Sequence, residues 1–342
     1  MKILITGLGS IGQRHVRNLR RLYGSEVEII AFRSRGLKTT FSDDLKIREG
    51  VDPEAEYNIT PYYKLEEALA QKPDVAFITN ITSRHMETAL ACAKAGCHML
   101  IEKPLSHDME DVDKLERIVS KNGLKVFMGF QNRYHPSVQR MKESYESGKL
   151  GKLVYGSSEF SERVITMHRY EDYRDTYMAR KKMGGGPVLN LQMHDFDILQ
   201  WILGKPEKVT AHMKMSSGLE IDVEESADAV FTYKGGIPVY THTDFIQYPP
   251  VHRFKLVGDH GRIEADLIAA KCIKYIGDEP AEIWEEKDFI RNDMFIEELK
   301  DFFDCIKNDR EPEIPLKAGI VSLKMAASLK ESAERGMKID VY

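Results

Sequence analysis

Two short stretches of this chain carry residue types that could do redox chemistry. Lys103 stands between Glu102 and Pro104, directly after the apolar run His98-Met99-Leu100-Ile101. Near the start, a run predicted as a strand leads into Gly7-Leu8-Gly9-Ser10-Ile11-Gly12. Each glycine has a separate task in holding a dinucleotide. Gly7 allows the tight turn, Gly9 lets the backbone approach a pyrophosphate, and Gly12 lets helix and strand pack closely. The amides of Ser10 and Ile11 would point at the phosphates from a helix N-terminus. Ligands of open α/β sheets bind outside the carboxyl ends of the strands, so a lysine ending a later strand faces the same crevice. The glycine loop alone indicates a nucleotide; with the lysine, the chain reads as a redox enzyme.

The elements that must position these groups alternate in the βαβ manner over residues 1–125. Strand 2–6 feeds a helix from Ser10 to Tyr23, closed by Gly24. Strand 27–32 follows, then a polar stretch, 33–63, with no clear pattern. Helix 64–71, strand 74–78, helix 84–95 and strand 98–101 lead to Lys103. Ser106 is an expected N-cap for a helix ending near Gly123, before strand 125–128. This is a doubly wound parallel, Rossmann-type sheet. After residue 130 the runs 152–162, 206–216, 226–234, 238–246, 253–258 and 271–276 alternate polar and apolar residues, as a half-buried antiparallel sheet does. Helices are expected at 136–147, 190–203, 293–307 and 317–335. The expected division is a dinucleotide domain, 1–125, and an α+β domain, 126–342, whose large open sheet would bind substrate and pack on another subunit.

Cofactor preference turns on the end of the second strand. An acid there would bond the ribose 2′-hydroxyl of NAD. The chain reads Ala31-Phe32-Arg33-Ser34-Arg35 instead, and an arginine fork beside a serine suits a 2′-phosphate. NADP is therefore favoured over NAD.

Several blocks together resemble the Gfo/Idh/MocA oxidoreductases. They are the glycine loop, Thr79-Asn80-Ile81-Thr82-Ser83-Arg84-His85, Ala95 through Glu102-Lys103-Pro104, Gly129 through Arg133-Tyr134-His135-Pro136, Gly184-Gly185-Gly186-Pro187-Val188-Leu189, and Gly258 through Glu264. The resemblance implies that Thr79, Asn80, His85, Glu102 and Lys103 line the cofactor. It implies that Lys103 bonds the reacting substrate oxygen near the nicotinamide, through a Lys-Pro bond that is often cis. The second catalytic group comes from the segment 189–197. On a helix, Asn190, His194 and Asp197 share one face, and His194 would be the general base, with a pKa near neutrality. The family commonly has aspartate where this chain has Asn190, an amide that cannot raise the basicity of His194 but can bond substrate hydroxyls. That form resembles dehydrogenases of nucleotide-linked hexosaminuronic acids. Asp197 could orient His194 instead, and Arg133 and Tyr134 are candidates for substrate contact. The segment Arg163–Lys182 mixes bases, acids and tyrosines and is either a carboxylate or diphosphate clamp or a solvated face.

Composition excludes several other classes. At 342 residues the chain suits two domains, and 42% hydrophobic with 30% charged residues is ordinary for a globular protein. A formal charge of −5 gives no reason to expect nucleic acid or an anionic membrane as partner. No stretch is apolar enough for a membrane span, and the first six residues read as a strand rather than a signal peptide, so a cytoplasmic protein is expected. Cys92, Cys97, Cys272 and Cys305 are scattered, and the histidines lack metal-ligand spacing, so no metal is expected. The leading expectation is an NAD(P)-dependent dehydrogenase or reductase of a sugar or nucleotide-sugar secondary alcohol, as a homodimer or homotetramer. The alternatives are a regulatory protein that binds NAD(P) without catalysis, and an inositol or sugar-acid dehydrogenase that retains its cofactor.

Overall fold

The computed structural model describes residues 1–34, 36, 38–42, 46–48, 50–215 and 218–341. The chain forms two compact units: Met1–Gly129 with Phe295–Gly319, and Phe130–Met294 with the chain from Ile320 onward. A single boundary at 125/126 differs from this in two ways. The first unit runs on through the last strand of its sheet, and it takes back Phe295–Gly319. Aromatic packing accounts for the return. Phe302 meets Phe77 edge-on with centroids 6.1 Å apart and Phe127 at 5.8 Å, while Phe303 meets Tyr23 at 5.1 Å. Rings of this size dominate core energetics. Helical periodicity shows which side of a segment is apolar, not which core will receive it.

The first unit is built on six parallel strands: β1 (Lys2–Ile5), β2 (Glu28–Phe32), β3 (Thr60–Tyr62), β4 (Val75–Ile78), β5 (His98–Glu102) and β6 (Val126–Gly129). Their order in the sheet is β3-β2-β1-β4-β5-β6. The order reverses between β1 and β4, and a ligand crevice lies at such a switch point. Strands covered on both faces read as continuous apolar runs, and Val75–Ile78 is buried throughout. Helix α1 (Ser10–Tyr23) ends at Gly24, whose φ of 53° lies in the left-handed region, with Arg20 and Arg21 in its last turn. Helix α2 (His85–Lys94) follows β4. Helix α3 begins at Val112, not near Ser106, and runs to Asn122. Ser106 is buried in the turn behind Pro104, too early to cap a helix that starts after Asp111. The unpatterned stretch 33–63 holds a two-stranded ribbon, Thr40–Phe41 with Ile47–Arg48, a single helical turn at Pro53–Glu56, and β3. Pro61 is tolerated in β3 because that strand is an edge.

The second unit carries nine strands: β7 (Leu153–Ser161), β8 (Lys208–Lys214), β9 (Ser226–Tyr233), β10 (Ile237–Asp244), β11 (Val251–Gly258), β12 (Gly261–Asp266), β13 (Lys271–Ile276), β14 (Glu282–Glu285) and β15 (Ile339–Asp340). They lie in the order β14-β13-β12-β11-β7-β10-β9-β8-β15. Every pairing described is antiparallel except β7 with β10. Sequence alternation missed β12, β14 and β15, of which two are short edges. Helices α4 (Pro136–Glu146), α5 (Met193–Leu203), α6 (Arg291–Lys307) and α7 (Leu316–Arg335) complete the fold. Side-chain bonds tie α7 to this unit: Gln200 Nε2 donates to Ser322 Oγ at 2.7 Å, and the Ala211 amide to Ser332 Oγ at 3.0 Å. The outer face of the sheet holds a trough of about 840 Å³ bordered by Glu159, Asp228, Tyr240, His242, Arg253 and Lys255.

His242 on that face lies between two carboxylates, Asp244 at 2.9 Å and Asp228 at 2.7 Å. Those bonds, Asp244 first, raise its pKa to about 9 against partial burial. The folded pKa exceeds the unfolded one, so the stabilisation is complete below about pH 6.5 and fades as pH rises through about 9. Half-exposure and solvent screening limit it to about 1 kcal/mol. Thermal stability of the wild type is expected to fall between pH 7 and 10, and His242→Gln to flatten that dependence. Parallel curves for the two proteins would contradict the assignment.

Candidate active site

The first unit brings three loops of the crevice together. Gly12 is flush against the turn: a Cβ there would lie 1.9 Å from the Gly7 carbonyl oxygen. A Cβ on Gly9 would meet nothing within 4 Å, so open space adjoins the backbone where a pyrophosphate would approach. These glycines fit a dinucleotide. Thr79 joins the loop after β4 to the glycine loop, its Oγ1 donating to the Gly7 carbonyl at 2.9 Å and its amide to Thr6 Oγ1 at 3.2 Å. Asn80 Nδ2 donates to Thr88 Oγ1 at 2.8 Å. His85 is buried, with Nδ1 2.7 Å from the Pro104 carbonyl oxygen and Nε2 2.9 Å from that of Asn80. Burial pushes its pKa down, and the two carbonyls oppose that.

Lys103 is half-buried directly after β5, and the Lys103–Pro104 peptide is cis. Glu102 is tied to α1: its Oε1 accepts from His15 Nε2 at 2.7 Å, with both side chains buried. Its other oxygen would lie 3.0 Å from a Cβ at Gly129, so a side chain there would require Glu102 to give by a few tenths of an ångström. At the end of β2, Arg33 is buried and ion-paired with Glu54. Ser34 follows it on the surface, and Arg35 lies outside the described residues.

In the second unit, the run expected as one helix from 190 is two. Val188–Gln192 forms a π-helical turn, and α5 starts at Met193. Such turns are frequent at functional sites. Asn190 is buried, and its Nδ2 donates to the Gly186 carbonyl at 2.8 Å and that of Gly184 at 3.5 Å. This is a physical reason for asparagine here, because a carboxylate has no N–H to give those carbonyls. Gly185 is equally constrained, since a Cβ would fall 2.4 Å from the Met178 carbonyl oxygen. His194 is buried, with the rings of Phe130 and Phe160 at 6.2 and 6.3 Å.

The two neighbouring acids are engaged elsewhere. Asp197, expected as an orienting partner of His194, takes Arg133 in a two-pronged pair, Nε to Oδ2 at 2.7 Å and Nη2 to Oδ1 at 2.6 Å. Burial raises the Asp197 carboxyl and the guanidinium opposes it; two bonds this short keep it ionised. Arg133 thus braces α5, with its guanidinium over the Trp201 ring at 5.0 Å. Tyr134 beside it is half-buried. Asp195, wholly buried, bonds His252 Nε2 at 2.9 Å, and His252 stacks on Phe160 at 3.8 Å.

The Arg163–Lys182 segment mostly serves packing. Val164 and Met178 join Leu191 and Phe245 in a buried cluster on which Tyr173 and Tyr177 pack. Arg174 is spent on Asp172 and Glu220. Arg163, Arg169, Lys181 and Lys182 are exposed. Among the described residues no group of three or more His, Cys, Asp or Glu side chains could hold a metal, and no helix is long and apolar enough to cross a membrane.

Residues 1–130 match the family described as "Oxidoreductase family, NAD-binding Rossmann fold", and residues 138–264 match the GFO/IDH/MocA C-terminal domain. This chain belongs to the Gfo/Idh/MocA oxidoreductases. The myo-inositol 2-dehydrogenase of Thermotoga maritima is 26% identical over 99% of this chain and 99% of its own. Among solved structures, a levoglucosan dehydrogenase in complex with NADH and levoglucosan superposes with a TM-score of 0.85 at 14% identity, covering 100% of this chain and 99% of that one. The WlbA dehydrogenase from Bordetella pertussis, in complex with NADH and UDP-GlcNAcA, does so at 0.80 and 20% identity, again over 100% and 99%. Those two likenesses concern the fold. The chain is an NAD(P)-binding oxidoreductase with a parallel Rossmann sheet and a large, mainly antiparallel second sheet.

Three residues of this Gfo/Idh/MocA oxidoreductase carry no expectation from the sequence: His15, Glu54 and His252. A signal existed for the first alone. His15 falls on the inward face of α1 with Val16 and Leu19, and a buried histidine calls for a polar partner.

Proposed function

We propose that this oxidoreductase interconverts a secondary alcohol and a ketone on a sugar or nucleotide-sugar derivative, in carbohydrate or surface-glycan metabolism. The observation that carries this is Lys103 at the carboxyl end of β5, in the sheet whose first strand ends in the glycine loop. The cofactor, held by Gly7, Gly9, Ser10, Ile11 and Gly12 with Thr79 and Asn80, supplies the hydride acceptor or donor at its nicotinamide. Lys103 donates a hydrogen bond to the reacting oxygen and stabilises the negative charge that develops there. His194 takes the hydroxyl proton in oxidation and returns it in reduction. Asn190 fixes the glycine turn beside it, and Tyr134 contributes to substrate contact. The inositol specificity of the Thermotoga maritima relative supports a polyol ring as substrate class.

The test is nicotinamide absorbance on purified protein with inositols, free sugars, sugar acids and nucleotide sugars, using NAD(H) and NADP(H) separately. Turnover of one class names the substrate. Silence across the panel with cofactor binding intact would sink the catalytic reading.

NADP is the proposed preference, on Arg33 and Ser34. Arg33→Ala should raise KM for NADP about tenfold and that for NAD less than about threefold, because only the 2′-phosphate loses a charge-assisted bond. Glu54→Gln should lower the NADP value, since the carboxylate paired with Arg33 repels the phosphate. Equal changes for both cofactors would remove the preference.

The trough on the second sheet is the proposed site for another copy of the chain, giving a dimer or tetramer. Its border mixes Glu159 and Asp228 with Arg253 and Lys255 around Tyr240, which is 50% exposed, so like faces can complement one another. A monomer in sedimentation velocity at micromolar concentration would count against it. Cytoplasmic residence is part of the reading, supported by four free, buried cysteines.

A further inference from the structure

The chain is held on both sides of Lys103, each time by a histidine. On one side, Glu102 accepts a 2.7 Å bond from His15 Nε2. On the other, the Pro104 carbonyl oxygen lies 2.7 Å from His85 Nδ1. All three side chains are buried, and the His15 ring is lodged between Phe77 at 5.3 Å and Phe295 at 6.2 Å. Neither histidine belongs to the lysine's own strand. His15 lies in α1, which opens at the glycine loop, and His85 opens α2, which follows the Thr79–Asn80 loop. His85 also reaches back to that loop, its Nε2 2.9 Å from the Asn80 carbonyl oxygen. Thr79 in turn grips the Gly7 carbonyl at 2.9 Å. Close polar contacts, with His85 able to donate to either carbonyl, therefore run from the dinucleotide loops to the residues immediately before and after Lys103.

The geometry points to His15 and His85 as positioning residues that couple occupancy of the dinucleotide loops to the placement of the Lys103 ammonium. This rests on the assignment of Lys103 as the group that bonds the reacting oxygen. A dinucleotide presses on the turn at Gly7–Gly12 and on the Thr79–Asn80 loop. Displacement of either passes through a short, buried bond to one neighbour of Lys103. Errors of about 1 Å in a reacting group cost about a hundredfold in rate, so two bonds that fix both neighbours set the catalytic geometry.

The chemistry of the bonds supplies the test. A glutamine amide can stand in for the Nε2 donor of His15 and an asparagine amide for the Nδ1 donor of His85, whereas leucine supplies neither. His15→Leu and His85→Leu should each lower kcat about 30- to 100-fold with cofactor KM within about threefold, while His15→Gln and His85→Asn stay within about fivefold of wild type. A second readout needs no substrate. Labelling of Lys103 by an amine-reactive ester, followed by peptide mass spectrometry, should change rate on NADH or NADPH addition in the wild type and not in the leucine variants. Should a leucine variant fail to fold, Glu102→Gln, which weakens the bond from His15, must blunt the labelling response. Leucine variants that lose only thermal stability and cofactor affinity, with kcat and labelling response intact, would overturn the proposal. If the wild type turns over nothing in the panel yet its labelling response requires the histidines, the proposed function fails and the coupling stands.

Discussion

Lys103→Met should lower turnover by about a thousandfold or more while NAD(P)H binding changes less than about threefold, because the proposed role of the ammonium is at the reacting oxygen, with any contact to the dinucleotide secondary. Methionine matches the lysine stem in length and removes only the charge and its donors. The half-buried position after β5 suits that role, since a donor partly removed from water interacts more strongly with developing charge. Lys103→Arg is not expected to rescue activity, because a planar fork cannot place one point charge where the ammonium sits. The checks are steady-state rates and a fluorescence titration with reduced cofactor. A Lys103→Met protein retaining a tenth of wild-type turnover would show that another group bonds the oxygen.

The second large effect concerns stability. Asp197→Ala should destabilise the second unit by about 3–5 kcal/mol, because it leaves the Arg133 guanidinium buried without its carboxylate. Arg133 is 5% and Asp197 1% exposed, so water cannot replace the lost bonds. Replacing both residues, Arg133→Met with Asp197→Leu, should cost less than the single change, since an apolar pair of similar volume leaves no stranded charge. Denaturant unfolding of the two variants and the wild type measures this. A single variant no worse than the double would mean that the pair contributes little. Asp197 lies one turn beyond His194 on α5, so the single variant should also lose activity out of proportion to its folded fraction.

The same pair shows where reading the chain stops. Local pattern alone placed the glycine loop between strand and helix and Lys103 at a strand end, because turn chemistry and apolar runs are written in neighbouring residues. The change from buried parallel strands to alternating ones near residue 130 marked a second sheet for the same reason. The partners of the buried charges were not legible. Glu102 meets His15 across 87 positions, Arg133 meets Asp197 across 64, and Asp195 meets His252 across 57. Each pairing depends on strand order and helix docking, and an isolated carboxylate carries no mark of which partner it will meet. Arg133 and Glu102, expected as ligand contacts, each also hold a buried side chain elsewhere in the fold, because a buried charged or polar group needs a partner. The π turn at Val188–Gln192 and the return of Phe295–Gly319 to the first unit were decided in the same way. Sequence alone determined which groups could do chemistry; tertiary packing decided which of them are held in reserve to keep the others in place.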